Sequence, residues 1–346
     1  MLTVATSASA NPMGAERYQR EVLAGARAAL PGTAVRHLEF RSLRSPLAGD
    51  RRLPMGWLRD ASAASRSILG RVVFAGAGLV HRMDLLLPPG PNEVVTLHDV
   101  VAWLYPDESS PVRAAAAELK RAAAVICVSQ YSAEQAVERL GVPDPVVVYN
   151  GVDERFFSAP ELSEAQRREL GLVGDYVLHA GGAAKRKNLE GLAQAWPLVH
   201  RNRPQLTLAL CGPEHERRTR LFTGMPGVRL LGRQPEELLP SLVKSASAVV
   251  VPSWHEGFGL PALEAMAAGV PVVAANTSSL PEVVGECGIL VEPQAGAIAE
   301  GLLVAAAGRA GLPELVVAGA ARAREFTWQR CLAGHAEVWQ RLGVAG

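Results

Sequence analysis

The stretch Ala248 to Ala275, AVVVPSWHEGFGLPALEAMAAGVPVVAA, decides how this chain folds. Ala248 to Val251 are apolar and rich in β-branched residues, with Pro252 as a boundary. Such a run fits a strand buried on both faces of a parallel sheet. The loop that follows has glycines at 257 and 259 and a carboxylate, Glu256, at its mouth. Pro261 suits the first position of a helix, Gly269 suits its end and Pro271 lies just beyond, the asymmetry expected of helix boundaries. Glu264 is then expected in the first turn. The loop lets Glu256 and Glu264 approach one crevice beyond the carboxyl end of the strand, where open α/β sheets bind ligands.

The alternation extends in both directions. Leu2 to Thr6 read as a first strand, followed by a small-residue loop, Ser7 to Gly14, and a helical stretch, Ala15 to Leu30. That arrangement brings backbone N–H groups near a phosphate. Val35 to Phe40 read as a second strand, and Val94 to Leu97 as a strand ending in His98-Asp99. Helix Pro111 to Ala123, strand Ala124 to Val128, helix Ser132 to Leu140 and strand Val146 to Tyr149 follow, and Asn150-Gly151 ends the series. Val152 to Ala165 lacks a period and carries Pro160, which suits a linker. A second series has strands Tyr176 to Ala180, Leu206 to Leu210 and Val228 to Leu231, helix Pro235 to Ala246 and the central unit itself. Strand Val270 to Ala274, helix Leu280 to Gly285 and strand Ile289 to Val291 complete it. Strands separated by helices imply right-handed βαβ units and parallel sheets. A chain of 346 residues exceeds the ~250–300 that one core reaches, so two doubly wound α/β domains facing each other are expected.

Composition narrows the function. The hydrophobic fraction is 49% and the charged fraction 20%, as in ordinary globular proteins. A formal net charge of +1 argues against nucleic acid as a partner. The four cysteines, at 127, 211, 287 and 331, form no CxxC pair and have no histidine at ligand spacing, so they read as small apolar residues of a reducing compartment. The first residues, MLTVATSASANPMG, lack the basic start and apolar core of a secretion signal, and no run approaches the ~18–20 apolar residues of a membrane helix. A cytoplasmic protein is expected, with any membrane contact peripheral, at the inner face. One stretch bears on that contact. Arg41 to Arg71 holds Arg41, Arg44, Arg51, Arg52, Arg59, Arg66 and Arg71 against Asp50 and Asp60, with Trp57, Leu58, Ile68 and Leu69 among them. It reads either as a face for an anionic acceptor or lipid headgroups, or as a solvated arginine-rich loop and helix.

Several residues carry chemistry. Lys185-Arg186-Lys187-Asn188-Leu189 follows the turn Gly181-Gly182 and leads into a helix that Asn188 is placed to cap. Cations ahead of a helix N-terminus oppose the macrodipole, by about 0.3–1 kcal/mol each when exposed. A bound anion would reverse that sign. Glu264 lies in an otherwise apolar helix, where a carboxylate needs a partner. Its two acceptor oxygens suit a vicinal diol such as a ribose. His98 at a strand end suits a hydrogen bond to a substrate hydroxyl. There is no DxD and no His/Cys/Asp cluster with ligand spacing, so no metal is expected and the charge of a diphosphate falls to Arg186, Lys187 and helix N-termini.

The ordered set of motifs resembles the retaining group 1, mannosyltransferase-like glycosyltransferases, whose E-x7-E signature matches Glu256-Gly257-Phe258-Gly259-Leu260-Pro261 with Glu264-Ala265-Met266-Ala267 behind. Thr96-Leu97-His98-Asp99, Val128-Ser129, Asn150-Gly151-Val152-Asp153, Arg186-Lys187-Asn188-Leu189, Cys211-Gly212-Pro213, Leu231-Gly232, Pro252-Ser253 and Ser279-Leu280-Pro281-Glu282-Val283 match in order. Phe326-Thr327-Trp328 resembles the segment where the family's last helix crosses back to the first domain. The resemblance implies the GT-B fold: two Rossmann-like domains, an acceptor domain over 1–153 and a donor domain over 154–325, facing a central cleft, with 326–346 returning to the first.

It also implies roles. Glu264 would bind the ribose, and Glu256 with the amides of Gly257, Phe258, Gly259 and Leu260 would hold the donor sugar. Lys187, helped by Arg186, would take the diphosphate. Gly14 would approach it from the first domain, and His98 would contact the donor sugar. Transfer would be metal-independent and retaining, with the leaving diphosphate accepting the proton and domain closure excluding water. Two departures stand out: Met13-Gly14 replaces a frequent glycine pair, and Gly182 stands where many members have arginine, which leaves more of the diphosphate charge to Arg186 and Lys187.

The expected donor is a GDP- or UDP-linked hexose, mannose being favoured by the His98-Asp99 region, and no other cofactor is expected. The expected acceptor is a lipid-linked saccharide, another saccharide or a small molecule. A non-catalytic nucleotide-sugar-binding protein, regulatory or scaffolding, is the alternative; it would have lost the donor-sugar carboxylate or His98, and both are present. A nicotinamide dehydrogenase would need GxGxxG after a strand, which Gly181-Gly182-Ala183-Ala184 does not match.

Overall fold

The computed structural model describes residues 1–9 and 14–344. Met13, and with it the Met13-Gly14 pair and most of the loop before Gly14, lies outside the described residues. The chain divides into two units, Met1–Gly151 with Trp328–Gly346, and Val152–Thr327. The last helix, Trp328–Arg341, therefore belongs with the first unit.

The first unit holds strands β1 (Leu2–Ser7), β2 (Val35–Ser42), β3 (Arg51–Leu53), β4 (Leu79–Arg82), β5 (Glu93–Leu97), β6 (Ala124–Cys127) and β7 (Val146–Val147). They form a seven-stranded sheet in the order β3-β2-β1-β4-β5-β6-β7, every neighbour parallel. The second unit holds β8 (Tyr176–Ala180), β9 (Thr207–Cys211), β10 (Val228–Gly232), β11 (Ala248–Val251), β12 (Val272–Ala275) and β13 (Ile289–Val291). These form a six-stranded parallel sheet in the order β10-β9-β8-β11-β12-β13. The order reverses between β1 and β4 in one sheet and between β8 and β11 in the other, and such reversals open a crevice at the carboxyl ends of the strands. In the second unit Val177, Leu208, Leu210, Val250 and Val273 pack against Leu192, Trp196 and Val199 of the helix Leu189–Asn202 and against Ile298 and Leu302.

The structure departs from the sequence reading in several places. Strands β3 and β4 were not expected. The helices expected over Pro111 to Ala123 and Pro235 to Ala246 contract to Ala115–Leu119 and Leu239–Lys244. The stretch expected as a linker contains the helix Arg155–Ser158, whose Phe156 is buried, and belongs to the second unit. The departure at β4 has a physical cause. β4 reads Leu-Val-His-Arg, and its polar end looks like loop, yet Arg82 is fully buried. Its guanidinium bonds both oxygens of Glu93 at 3.0 and 3.1 Å and Oε2 of Glu118 at 3.0 Å.

Arg66, from the stretch expected to offer an arginine face, is also fully buried. It pairs with Glu118 at 2.6 Å and donates to the carbonyls of Leu58, Leu85, Leu86 and Leu87. The quartet Arg66, Arg82, Glu93 and Glu118 has no formal net charge, so the helices Ala63–Val73 and Ala115–Leu119 are tied to β4 and β5 without an uncompensated charge. No helix among the described residues is long and apolar enough to cross a membrane.

Removing one carboxylate from the quartet strands a cation in the interior, which costs about 3–5 kcal/mol. Glu118→Gln is accordingly expected to lower the urea-unfolding free energy by that amount, whereas Arg71→Gln, at an exposed position, should leave it within about 0.5 kcal/mol.

Candidate functional site

In the second unit the turn after β8 and the loop after β11 are joined by Asn188. This residue adopts a left-handed conformation, φ 53°, and its Oδ1 accepts from Gly191 N at 3.1 Å, capping the helix Leu189–Asn202. Its Nδ2 donates to the carbonyls of Pro252 at 2.9 Å and Pro293 at 2.8 Å. Trp254 N donates to Arg186 O at 2.7 Å, and Arg186 Nη1 donates to His255 O at 3.0 Å. The single helical turn Lys185–Lys187 is thereby held against the loop that carries Glu256.

Glu256 is 6% exposed and fully engaged. Lys187 Nζ donates to Oε1 and Oε2 at 2.7 and 2.8 Å, Ser253 Oγ donates to Oε1 at 2.7 Å, and Arg186 Nη1 lies 3.4 Å from Oε2. Its backbone N donates to Ser278 Oγ, and its carbonyl accepts from Ser279 Oγ, both at 3.0 Å. Burial alone would push this carboxyl up, but the charges of Lys187 and Arg186 outweigh it and hold the pKa down to about 2. Glu256 is ionised at neutral pH and unsuited to moving a proton there.

The loop continues through Gly257 and the buried Phe258, whose ring meets Phe326 edge to face at 5.8 Å. Gly259, at φ 102°, takes a conformation that L side chains rarely adopt. The helix begins at Leu260, one residue ahead of Pro261, so Glu264 is its fifth residue and not in the first turn as expected. Glu264 is buried, 6% exposed.

Arg186, Lys187 and Glu256 are thus brought into direct contact, while Gly257 to Leu260 and Glu264 follow in the same loop and helix. Ser253, Ser278 and Ser279 escaped the sequence reading as site residues. The only local signal at Ser278 is its positive φ, 56°, which is a property of the fold. His179 on β8 also escaped notice; burial and the charges of Arg218 and Lys187 lower its pKa to about 3.

In the first unit His98 follows β5. Its carbonyl accepts from Ser132 Oγ at 3.0 Å, and its ring meets Tyr18 edge to face at 4.8 Å. Nε2 is buried with no hydrogen-bond partner among the described residues. Burial lowers the pKa of His98 despite the opposing charges of Asp99, Glu16 and Asp84. Gly14 opens the helix Gly14–Ala29 and is exposed.

Tyr18 belongs to a buried chain of hydrogen bonds that runs in one direction. The Trp339 indole can only donate, so at 3.3 Å it makes His81 Nδ1 an acceptor and leaves the proton on Nε2. His81 Nε2 then donates to Thr96 Oγ1 at 2.8 Å, Thr96 to Tyr18 Oη at 3.0 Å, and Tyr18 to His335 Nε2 at 2.6 Å. His335 Nδ1 donates to the Cys331 carbonyl at 2.7 Å. Both ends of the chain lie on the last helix. Both histidines must be neutral for it to close, and burial lowers His81 well below its usual range and His335 to about 4.

Two parallel Rossmann-like sheets, each with candidate residues at the carboxyl ends of its strands, define the GT-B fold. The family model for glycosyl transferases group 1 matches residues 174–307, and that for glycosyltransferase family 4 matches residues 13–156. The O-antigen chain mannosyltransferase B of Escherichia coli is 32% identical over 272 residues, covering 73% of this chain and 69% of that protein. The D-inositol 3-phosphate glycosyltransferase of Salinispora arenicola is 34% identical over 217 residues, covering 56% of this chain but only 48% of that protein. Among solved structures, HepE of Anabaena in complex with UDP and glucose matches with a TM-score of 0.75 at 23% identity, over 99% of this chain and all of that one, a likeness that shows the fold. The chain belongs to the group 1 glycosyltransferases and is a transferase of sugars from nucleotide-sugar donors.

Glu256 has a depressed pKa, so the stability it contributes is complete above its ordinary value of 4.5 and is lost as pH falls toward about 2. The difference in urea-unfolding free energy between the wild type and Glu256→Gln, about 3 kcal/mol at neutral pH, is therefore expected to be constant above pH 4.5 and to shrink below it.

Proposed function

We propose that this protein is a retaining, metal-independent glycosyltransferase that moves a hexose, mannose being the first candidate, from a GDP- or UDP-linked donor to an acceptor hydroxyl. The observation that carries this reading is the partly buried Lys187–Glu256 pair, with Arg186 beside it, where the second sheet reverses its strand order. Such a cluster suits a leaving diphosphate: cations stabilise the charge that develops as the glycosidic bond breaks, in a setting drier than bulk water.

Each residue then has a role. A diphosphate drawn to Lys187 and Arg186 loosens their hold on Glu256, and the carboxylate turns to the hydroxyls of the donor sugar. The amides of Gly257, Phe258, Gly259 and Leu260 steady that sugar, and Glu264 accepts hydrogen bonds from the ribose. A Glu256 carboxylate occupied by hydroxyls of the donor sugar is not aimed at the anomeric carbon, which favours proton transfer to the leaving diphosphate over a covalent sugar–enzyme intermediate. The O-antigen chain mannosyltransferase among the relatives favours mannose and a lipid-linked saccharide acceptor at the cytoplasmic membrane face, and a small-molecule acceptor is the second choice.

Slow donor hydrolysis needs no acceptor, so a panel of nucleotide sugars identifies the donor directly. GDP-mannose is expected to be turned over fastest, in the presence of a chelator as well as without it, with retention of the anomeric configuration in the transfer product. Lys187→Ala and Glu256→Ala should each lower transfer by about a thousandfold with unchanged circular dichroism. Wild-type turnover in both variants would remove the site assignment. A lipid-linked acceptor further predicts that the protein partitions onto anionic vesicles, and recovery in the supernatant would favour a small soluble acceptor.

A further inference from the structure

Three arginines are buried among the described residues, Arg66, Arg82 and Arg218. The first two are neutralised by carboxylates. Arg218, 4% exposed, is not. Its Nη1 donates to the Pro213 carbonyl at 2.6 Å, its Nη2 donates to the Gly181 carbonyl, and its Nε is buried with no hydrogen-bond partner among the described residues. Carbonyl dipoles satisfy two donor groups, but they leave a full positive charge in the interior, where an unpaired ion is costly.

The position of that charge matters. Gly181 directly follows β8 and Pro213 closely follows β9, so the guanidinium spans the carboxyl ends of two neighbouring strands beside the reversal between β8 and β11. The two loops touch there: a Cβ on Gly212, at φ 148°, would meet the Gly181 carbonyl oxygen at 2.0 Å and Arg218 Nη2 at 2.8 Å. His179, near the end of β8 and 3% exposed, has a buried Nδ1 without a hydrogen-bond partner among the described residues. The charges of Arg218, Lys187 and Glu256 all act on its ring, which puts the four groups in one neighbourhood. Arg186, Lys187 and Arg218 outnumber Glu256, the carboxylate that pairs with the first two, and His179 adds no charge.

We propose that Arg218 completes an anion site at the ends of β8 and β9 and takes the diphosphate of the nucleotide donor, an assignment that rests on the donor reading above. The bound anion supplies the neutralisation that Glu93 and Glu118 supply to Arg82 and Arg66. His179 lines the same site as a neutral hydrogen-bonding group.

The competing role for Arg218 is a purely structural staple between the two loops, and Arg218→Gln separates the two. The amide keeps a donor for one carbonyl and removes the charge. The ligand-free variant is expected to melt at or above the wild-type temperature, since the uncompensated cation is gone. Inorganic pyrophosphate should raise the melting temperature of the wild type and raise that of Arg218→Gln much less. Affinity for UDP and GDP, measured calorimetrically, should fall by about tenfold or more while that for uridine and guanosine is unchanged, and Arg218→Lys should recover part of the loss. Equal pyrophosphate shifts in both proteins, no shift in the wild type, or equal loss of nucleoside and nucleoside diphosphate binding would overturn the anion site. If the wild type turns over no nucleotide sugar while pyrophosphate still distinguishes the two proteins, the anion site stands and the donor assignment falls.

Discussion

A charge taken out of water must meet an opposite charge or a dense set of hydrogen bonds, and both units of this protein are arranged around that requirement. In the first unit it is met by the quartet of Arg66, Arg82, Glu93 and Glu118, which joins two helices to two strands through interactions that hydrophobic packing alone would not orient. In the second it is met by Lys187 and Glu256, with Arg186 and Ser253 completing the shell. The first cluster lies buried between helices and strands and is closed. The second lies at the ends of strands, between two loops.

That difference separates scaffold from site. Arg66 and Arg82 spend their remaining donors on carbonyls of Leu85 and Leu87, so nothing in the quartet is offered to a ligand. Around Glu256 the backbone is held by Asn188, Ser278 and Ser279, which fix the loops while the charged side chains meet each other. A backbone held in this way under paired opposite charges suits electrostatic preorganisation, because little structure would have to form on the arrival of an anion. The neutral relay from Trp339 to Cys331 does comparable work in the first unit, fixing the ring of Tyr18 against which His98 packs.

Much of this was legible from residue order. β8, β11 and β13 occupy the residues expected of them, because short, largely apolar runs bounded by glycine or proline are local signals. The placement of Asn188 as a cap and of Glu256 in a glycine loop also follows from neighbours in sequence. β4 was not legible, because His81 and Arg82 look like loop until their partners are known. Arg66 looked like part of an exposed basic face for the same reason. Glu264 lies one residue further into its helix than the sequence suggests, because the helix begins at Leu260 and not at Pro261.

The sequence by itself determined the succession of strands, loops and helices, the family, and the fact that carboxylates and cations stand in loops at strand ends. Periodicity, capping residues and glycine conformations act over a few residues, so they survive reading without a structure. Only the tertiary structure decided which charges neutralise one another. Lys187 and Glu256 are 69 residues apart and meet because β8 and β11 are neighbours in the sheet, and Tyr18 and His335 are 317 apart and meet because the last helix packs on the first unit. Arg218 is left without a carboxylate by the same long-range packing, since pairing between distant residues depends on strand order and helix placement that no local signal encodes.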